Sequence, residues 1–312
     1  MSQFRKIVRS VQTFARHLSG APKPEEKCIS TTRPTLGVAL GGGFARGIAH
    51  IGLLKVLEEE NIPVDFVGGT SVGSLIGAVY CSGRSGNEMK EIASHVRFRT
   101  FARWTLSRYG FFSNDRMENW LTQYLHCSKF EDLKIPLAVV ATDFKTGEPV
   151  VFRSGSIADA VRASCAYPGM FQPVEVDGRM LVDGMLSYAV PTTPLKQMGA
   201  DRVLGVYLSA HWVQMRGPRS PFDVIGQCFS IAQDRMSNEW KKDADLIVEP
   251  NVEGFSYDAF ERTPELIHAG EEAMRAALPT VKKWLGMTEP TVKPTLRQKT
   301  GPKAEPQEIV PS

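Results

Sequence analysis

The stretch VDFVGGTSVGS, residues 64–74, joins an apolar strand to a glycine-rich turn and the start of a helix. The strand is expected over residues 62–67, and apolar residues return over residues 72–80, which is typical of a buried helix. Gly69, Ser71 and Gly73 lie two positions apart at the junction. A serine on a sharp strand-to-helix turn holds its hydroxyl above a sheet, and flanking glycines avoid collisions with neighbouring backbone. The pattern predicts a nucleophile, Ser71, on an elbow formed by Gly69 and Gly73; the alternative is a turn that only allows close helix packing.

The same order of elements occurs just upstream. Residues 36–40 form a short apolar run, glycines follow at 41–43, and apolar residues recur at helical spacing over 47–60. Two successive strand–turn–helix units with short loops predict a parallel sheet that is covered by helices on both faces. We therefore expect the α/β class, as a three-layer α/β/α sandwich with a mostly parallel central sheet. Later strands are expected at 136–143, 149–152, 174–176, 179–182, 202–208 and 245–249, and helical segments at 87–127, 157–166, 222–241 and 264–285.

The upstream glycine cluster does not fit the common phosphate-binding motifs. A dinucleotide fingerprint would need glycine where Arg46 stands, and a P-loop would need Lys-Ser or Lys-Thr after Gly47. An oxyanion hole fits, because glycine N–H groups can approach the oxygen on which negative charge develops. We expect this hole at Gly41, Gly42 and Gly43, with a further N–H group from the residue after the nucleophile. Arg46 would add a fixed charge or hold the loop; its alternative is a surface ion pair.

A nucleophilic serine needs a base, and the six histidines offer little. His268 lies in a predicted helix, and His50 follows the glycine cluster as a packed or capping side chain. His211, after a predicted strand, is the loop candidate. Asp183 ends an apolar stretch and is followed by Gly184. Burial there would raise the basicity of this carboxylate, so Asp183 is the predicted base; the alternative is a turn-capping role.

Composition restricts the function classes. The net charge of +3 is too small to indicate nucleic-acid binding, and five dispersed cysteines without CxxC spacing indicate free thiols in a reducing, cytoplasmic setting. No metal or other cofactor is predicted. The sequence contains no apolar run of transmembrane length, and we expect no signal peptide. Residues 1–20 are basic with one apolar face, so this arm could contact a membrane surface, pack on the core or act in targeting.

Taken together, the motifs resemble the patatin-like phospholipase family, especially its bacterial and neuropathy-target-esterase-like branch. The resemblance rests on GGGFARG at 41–47, GTSVG at 69–73, the stretch at 163–169, and Asp183-Gly184. It implies a patatin-like sandwich with a six-stranded sheet, and a dyad of Ser71 and Asp183 without histidine. It also implies hydrolysis of acyl esters in phospholipids or lysophospholipids, which would be the substrate partners.

The resemblance divides the chain into an arm and linker (1–34), a hydrolase domain (35–286) and a disordered tail (287–312). Met185 stands where the family has glycine or alanine, and its bulk could narrow the pocket or shift Asp183. The alternatives are an acyltransferase of the same fold and a lipid-binding regulatory protein with weak catalysis. The sequence leaves the oligomeric state open.

Overall fold

The computed structural model describes residues 33–208, Gly217 and residues 221–287. The basic arm, most of the linker, His211 and the tail from residue 288 lie outside these residues. The strands are β1 (Leu36–Leu40), β2 (Phe66–Thr70), β3 (Arg103–Ser107), β4 (Gly110–Ser113), β5 (Leu137–Asp143), β6 (Pro149–Phe152), β7 (Gly169–Phe171), β8 (Val174–Val176), β9 (Arg179–Asp183), β10 (Arg202–Val206) and β11 (Leu246–Val248). The α-helices are α1 (Ala49–Glu59), α2 (Val72–Cys81), α3 (Gly86–His95), α4 (Phe98–Phe101), α5 (Arg116–Tyr124), α6 (Ile157–Ser164), α7 (Thr192–Gln197), α8 (Pro221–Lys241) and α9 (Thr263–Trp284). Short 3-10 helices lie at Phe44–Ile48, Phe130–Asp132, Gly184–Leu186 and Phe260–Arg262.

The central sheet is mixed but mostly parallel. Within the described ranges it has eight strands in the order β11-β10-β1-β2-β5-β9-β8, with β6 also paired to β5. The five strands from β11 to β5 run parallel to their neighbours, whereas β9, β8 and β6 are antiparallel. The predicted fold class is confirmed, but the sheet is larger than the six strands that the family resemblance implied. The antiparallel hairpin of β8 and β9 extends the sheet beyond β5 and accounts for part of this difference in strand number.

Helices cover both faces of this sheet, as alternation along β1 shows. Val38 and Leu40 belong to a large cluster with α1, α2 and α9. Ala39, between them, packs on the other face with Leu195 of α7 and Trp240 of α8. Because successive strand residues point to opposite faces, this division defines three layers. These three residues of β1 are fully buried, as expected for a central parallel strand.

The strand β2 ends where the nucleophile motif begins. Ile62 was expected to start this strand, but its N–H donates to the Leu57 carbonyl and closes α1. The strand begins at Phe66 and extends through Gly69 to Thr70, so Ser71 directly follows it. The predicted strand was therefore placed several residues too early, and its carboxyl end lies beside that of β1.

The predicted helical segment 87–127 is partly wrong. Helices α3, α4 and α5 occupy most of it, but β3 and β4 form an antiparallel hairpin between them. β4 also pairs with β7 in a separate three-stranded sheet. Aromatic side chains favour strands, and the absence of a side chain at Gly110 lets the β4 backbone approach Phe171 closely. These two features outweigh the helical spacing that the sequence suggested.

Candidate active site

Ser71 occupies a strained turn between β2 and α2. Its backbone has φ 54° and ψ −126°, a conformation that is uncommon for residues other than glycine. The flanking glycines make the turn possible. A methyl group at Gly69 would lie 2.4 Å from the Ser74 Cα, and one at Gly73 would lie 2.2 Å from the Leu40 carbonyl oxygen. This is the strand–turn–helix geometry that a nucleophile elbow requires, and the catalytic role of Ser71 stays a prediction.

The Ser71 hydroxyl donates a hydrogen bond to the Asp183 carboxylate, with 2.7 Å between Oγ and Oδ2. Asp183 ends β9 and is fully buried, whereas Ser71 keeps an exposed fraction of 8%. The other carboxylate oxygen, Oδ1, accepts the Met185 N–H at 3.0 Å. The structure therefore brings together the two residues that the sequence placed 112 positions apart.

Burial sets the protonation behaviour of Asp183. Removal of the carboxylate from water raises the pKa of Asp183 to about 7, although the hydrogen bonds from Ser71 and Met185 act in the opposite direction. Such a carboxyl group exchanges a proton readily near neutral pH. The neighbouring Cys165 is also buried, and burial raises the pKa of its thiol, so this cysteine is held in its protonated form.

Met185 does not displace Asp183. Its side chain is buried in an aromatic cluster that contains Tyr167 and Phe171, while its backbone N–H holds the carboxylate. The close packing beside Asp183 requires a small residue at Gly184 instead, because a methyl group there would lie 2.1 Å from the Val140 carbonyl oxygen. Of the two effects considered for Met185, a shift of Asp183 away from the serine does not occur, and a narrowed pocket stays a prediction.

The first glycine cluster differs from its prediction in detail. The N–H groups of Gly41 and Gly42 already donate to the carbonyls of Val206 and Ala189, at 3.1 and 3.2 Å. In the described part of the chain, the N–H groups of Gly43 and Val72 have no hydrogen-bond acceptor. Gly41 and Gly42 thus shape the loop, and Gly43 and Val72 are the donors left for an oxyanion.

Two buried side chains support that loop. Arg46 has an exposed fraction of 3%, so the alternative of a surface ion pair is wrong. Burial lowers the pKa of Arg46 to about 10, against the opposing influence of Tyr167 and Tyr207. His50 is fully buried, and its Nε2 lies 2.8 Å from the Gly41 carbonyl oxygen. Burial lowers the pKa of His50 to about 4, so the neutral ring donates to Gly41, which agrees with the predicted packed role.

Ser164 is a site residue that the sequence did not reveal. Its Oγ accepts the Ser71 N–H at 2.8 Å and donates to the Val140 carbonyl at 2.5 Å. This fully buried hydroxyl satisfies the backbone of the strained serine and ties it to β5. Ser164 lies within the stretch 163–169 that supported the family resemblance, but nothing in its spacing from Ser71 indicates the contact.

The sequence profile of the patatin-like phospholipase family matches residues 38–196. The chain belongs to this family. An uncharacterized NTE family protein of Mycobacterium tuberculosis is 34% identical over 182 residues, which cover 57% of this chain and 50% of that protein. Human patatin-like phospholipase domain-containing protein 6 is 35% identical over 188 residues, covering 56% of this chain and 13% of that protein.

Two further comparisons extend over more of the chain. Lysophospholipase NTE1 of Mycosarcoma maydis is 29% identical over 228 residues, which cover 70% of this chain and 12% of that protein. The crystal structure of VipD from Legionella pneumophila superposes with a TM-score of 0.56 at 13% identity, over 80% of this chain and 67% of that one. This likeness shows the fold. The match spans half or less of each curated relative's length. Across the described ranges, every helix is too short or too polar to cross a bilayer.

Proposed function

We propose that the protein hydrolyses acyl esters of phospholipids or lysophospholipids with Ser71 as nucleophile and Asp183 as base. The observation that carries this proposal is the hydrogen bond of 2.7 Å from the Ser71 hydroxyl to a fully buried carboxylate. It occurs on a strained strand-to-helix turn, which is where acyl hydrolases hold a serine nucleophile. A relative of the chain is named a lysophospholipase, and the family itself is named for phospholipases.

In the first half of the reaction, Ser71 Oγ attacks the ester carbonyl carbon and its proton passes to Asp183 Oδ2. The N–H groups of Gly43 and Val72 stabilise the negative charge on the carbonyl oxygen. When the tetrahedral intermediate collapses, the bond to the alcohol breaks and Asp183 returns the proton to the departing alkoxide. An acyl group is then left on Ser71.

In the second half, Asp183 accepts a proton from water as the water oxygen attacks the acyl carbon. Collapse of this intermediate releases the fatty acid, and the proton returns to Ser71. Asp183 alternates between base and acid, which suits a carboxyl group whose pKa lies at about 7.

An apolar pocket next to the turn that carries Ser71 supports a lipid substrate. Val72, the residue after the nucleophile, forms part of its wall, whereas Ser71 itself does not line it. Phe44, the residue after Gly43, lines it as well, together with apolar side chains such as Leu75, Ile76 and Val79. A hydrocarbon chain gains free energy from entering such a space, whereas a small polar acyl group does not.

The proposal is tested with p-nitrophenyl esters of increasing chain length and with lysophosphatidylcholine. Turnover should increase towards long acyl chains, and Ser71→Ala and Asp183→Asn should each lower it by at least roughly a thousandfold. The wild-type rate should rise with pH through about 7, because Asp183 must lose its proton to act as base. Equal turnover by wild type and Ser71→Ala would contradict the proposal.

Stability separates a catalytic Asp183 from a structural one. Its folded pKa of about 7 lies above the ordinary value of 3.8, so its ionisation opposes folding. The free energy of unfolding of the wild type should therefore fall as the pH rises from about 4 through about 7, because Asp183 loses its proton more readily in the unfolded chain. At pH 8 Asp183→Asn should therefore be more stable than wild type by on the order of a few kcal/mol, and near pH 4 the difference should vanish. Thermal unfolding at both pH values measures this; a variant that is less stable at pH 8 would indicate a structural carboxylate.

A further inference from the structure

The hairpin formed by β3 and β4 exposes large aromatic side chains. Trp104 is 63% exposed, and Tyr109 and Phe111 are each 50% exposed. The Trp104 and Phe111 rings lie side by side, with 5.9 Å between their centroids. Large apolar side chains that are exposed together usually mark a contact surface, because burying them would stabilise a monomer more than leaving them in water. We call the segment 97–116, which contains this hairpin, the aromatic hairpin segment.

The charge of this segment is strongly positive. Five of its residues are exposed arginines and one is a carboxylate, and that carboxylate, Asp115, is paired with Arg103. The arginines are Arg97, Arg99, Arg103, Arg108 and Arg116. Arg108 lies over the Tyr109 ring, 4.7 Å from its centroid. Tryptophan and tyrosine are favoured at the boundary between lipid headgroups and acyl chains, and arginines bind the phosphates of anionic lipids.

The hairpin is connected to the candidate active site by one strand. β4 pairs with β7, with Gly110 opposite Gly169 and Phe112 opposite Phe171. The chain reaches β7 from Ala166, whose carbonyl accepts the Asp183 N–H at 3.0 Å. A partner that binds the hairpin would therefore lie near the candidate active site.

We propose that the aromatic hairpin segment docks the protein on an anionic phospholipid surface, with Trp104, Tyr109 and Phe111 entering the headgroup region. The five exposed arginines favour an anionic lipid surface over a second copy of the chain as the binding partner. They complement an anionic bilayer, whereas two copies meeting through this segment would bring like charges together. The docking is a binding event that does not require ester hydrolysis, so it stands apart from the chemistry of Ser71.

Fluorescence quenching by brominated acyl chains tests the docking at one residue. The full-length protein is mixed with vesicles of phosphatidylcholine and phosphatidylglycerol in which the phosphatidylcholine is brominated. Quenching of the wild type that is absent in Trp104→Phe assigns the contact to Trp104, although the chain has five tryptophans. Equal quenching in both proteins, or none in either, would overturn the proposal, and the readout is independent of any binding by residues 1–20.

Vesicle sedimentation tests the energetic contribution of the hairpin. Two double variants should weaken binding to phosphatidylglycerol vesicles: Trp104→Ala/Phe111→Ala and Arg99→Glu/Arg108→Glu. In the second variant, the loss should be about fivefold or more for each arginine removed. The matched control is Phe144→Ala, because Phe144 is 61% exposed on the turn between β5 and β6 and should not affect binding. Turnover of a short, water-soluble ester should be unchanged in all variants. The proposal would be overturned if the hairpin variants bound vesicles as tightly as the wild type does. It would also be overturned if the wild type formed a dimer without lipid and these substitutions converted it to a monomer.

Discussion

The two glycine-rich turns at the carboxyl ends of β1 and β2 look alike in sequence but do different work. The β2 turn presents a side chain, Ser71, and its glycines are required by packing, because added methyl groups would meet backbone atoms at 2.2 to 2.4 Å. The β1 turn presents backbone. A methyl group at Gly42 would lie 3.4 Å from the Ser71 Cβ, an ordinary contact, so the protein itself has room for it. Glycine is therefore needed for packing at Gly69 and Gly73 of the β2 turn, whereas at Gly42 of the β1 turn it leaves the space that a substrate would use in the proposed reaction.

The largest effect is expected at Gly73. An alanine methyl there would lie 2.2 Å from the Leu40 carbonyl oxygen and 2.8 Å from that of Gly41, so backbone must move. Gly73→Ala should destabilise the protein by about 3 kcal/mol or more, measured by thermal or urea unfolding. Gly77→Ala in the same helix is the control, because its methyl would meet side chains at 3.2 and 3.3 Å. Similar stabilities for the two variants would remove the distinction between the turns.

Gly42→Ala should have the opposite character. Its methyl group would occupy the space beside Ser71 where an ester must approach, so kcat/KM should fall by about tenfold to a hundredfold. The midpoint of thermal unfolding should stay close to that of the wild type. A variant with full activity would show that substrate does not use this space, and a variant that unfolds would show that Gly42 serves packing as Gly73 does.

A smaller effect is expected at Ser164, which supports the β2 turn from below. Ser164→Ala leaves the buried Ser71 N–H without its acceptor, which should cost about 1–3 kcal/mol of stability and slow turnover through misplacement of Ser71. Ser82→Ala is the matched control, since it removes an equally buried hydroxyl at the other end of α2. If both variants lost the same stability and kept full activity, Ser164 would have no special relation to the turn.

The sequence predicted the sheet class and the Ser71–Asp183 pair because both follow from local signals. Strand-to-helix turns leave a clear pattern of apolar runs and glycines, and Asp183 ends an apolar strand. The aromatic hairpin was missed because its alternation is short and its pairing partner, β7, lies about sixty residues further along the chain. Contacts of that kind depend on tertiary packing, which periodicity does not report.

The details of the glycine loop were unpredictable for a related reason. Whether a backbone N–H is free depends on which carbonyl lies opposite, and Gly42 donates to Ala189, far away in sequence. The same holds for the support from His50 and Ser164, whose partners are backbone groups of other elements. Sequence identifies residue types suited to a site, but hydrogen bonds to distant backbone become visible only in the folded chain.

Covalent labelling by a fluorophosphonate, followed by intact-protein mass and peptide mapping across pH, tests the proposed dyad. We expect a single adduct on Ser71, with a labelling rate that rises as the pH passes through about 7 and Asp183 ionises. Ser71→Ala should not be labelled, and Asp183→Asn should label slowly without that pH dependence. An adduct on another residue, or labelling of Asp183→Asn at the wild-type rate, would contradict the proposed dyad.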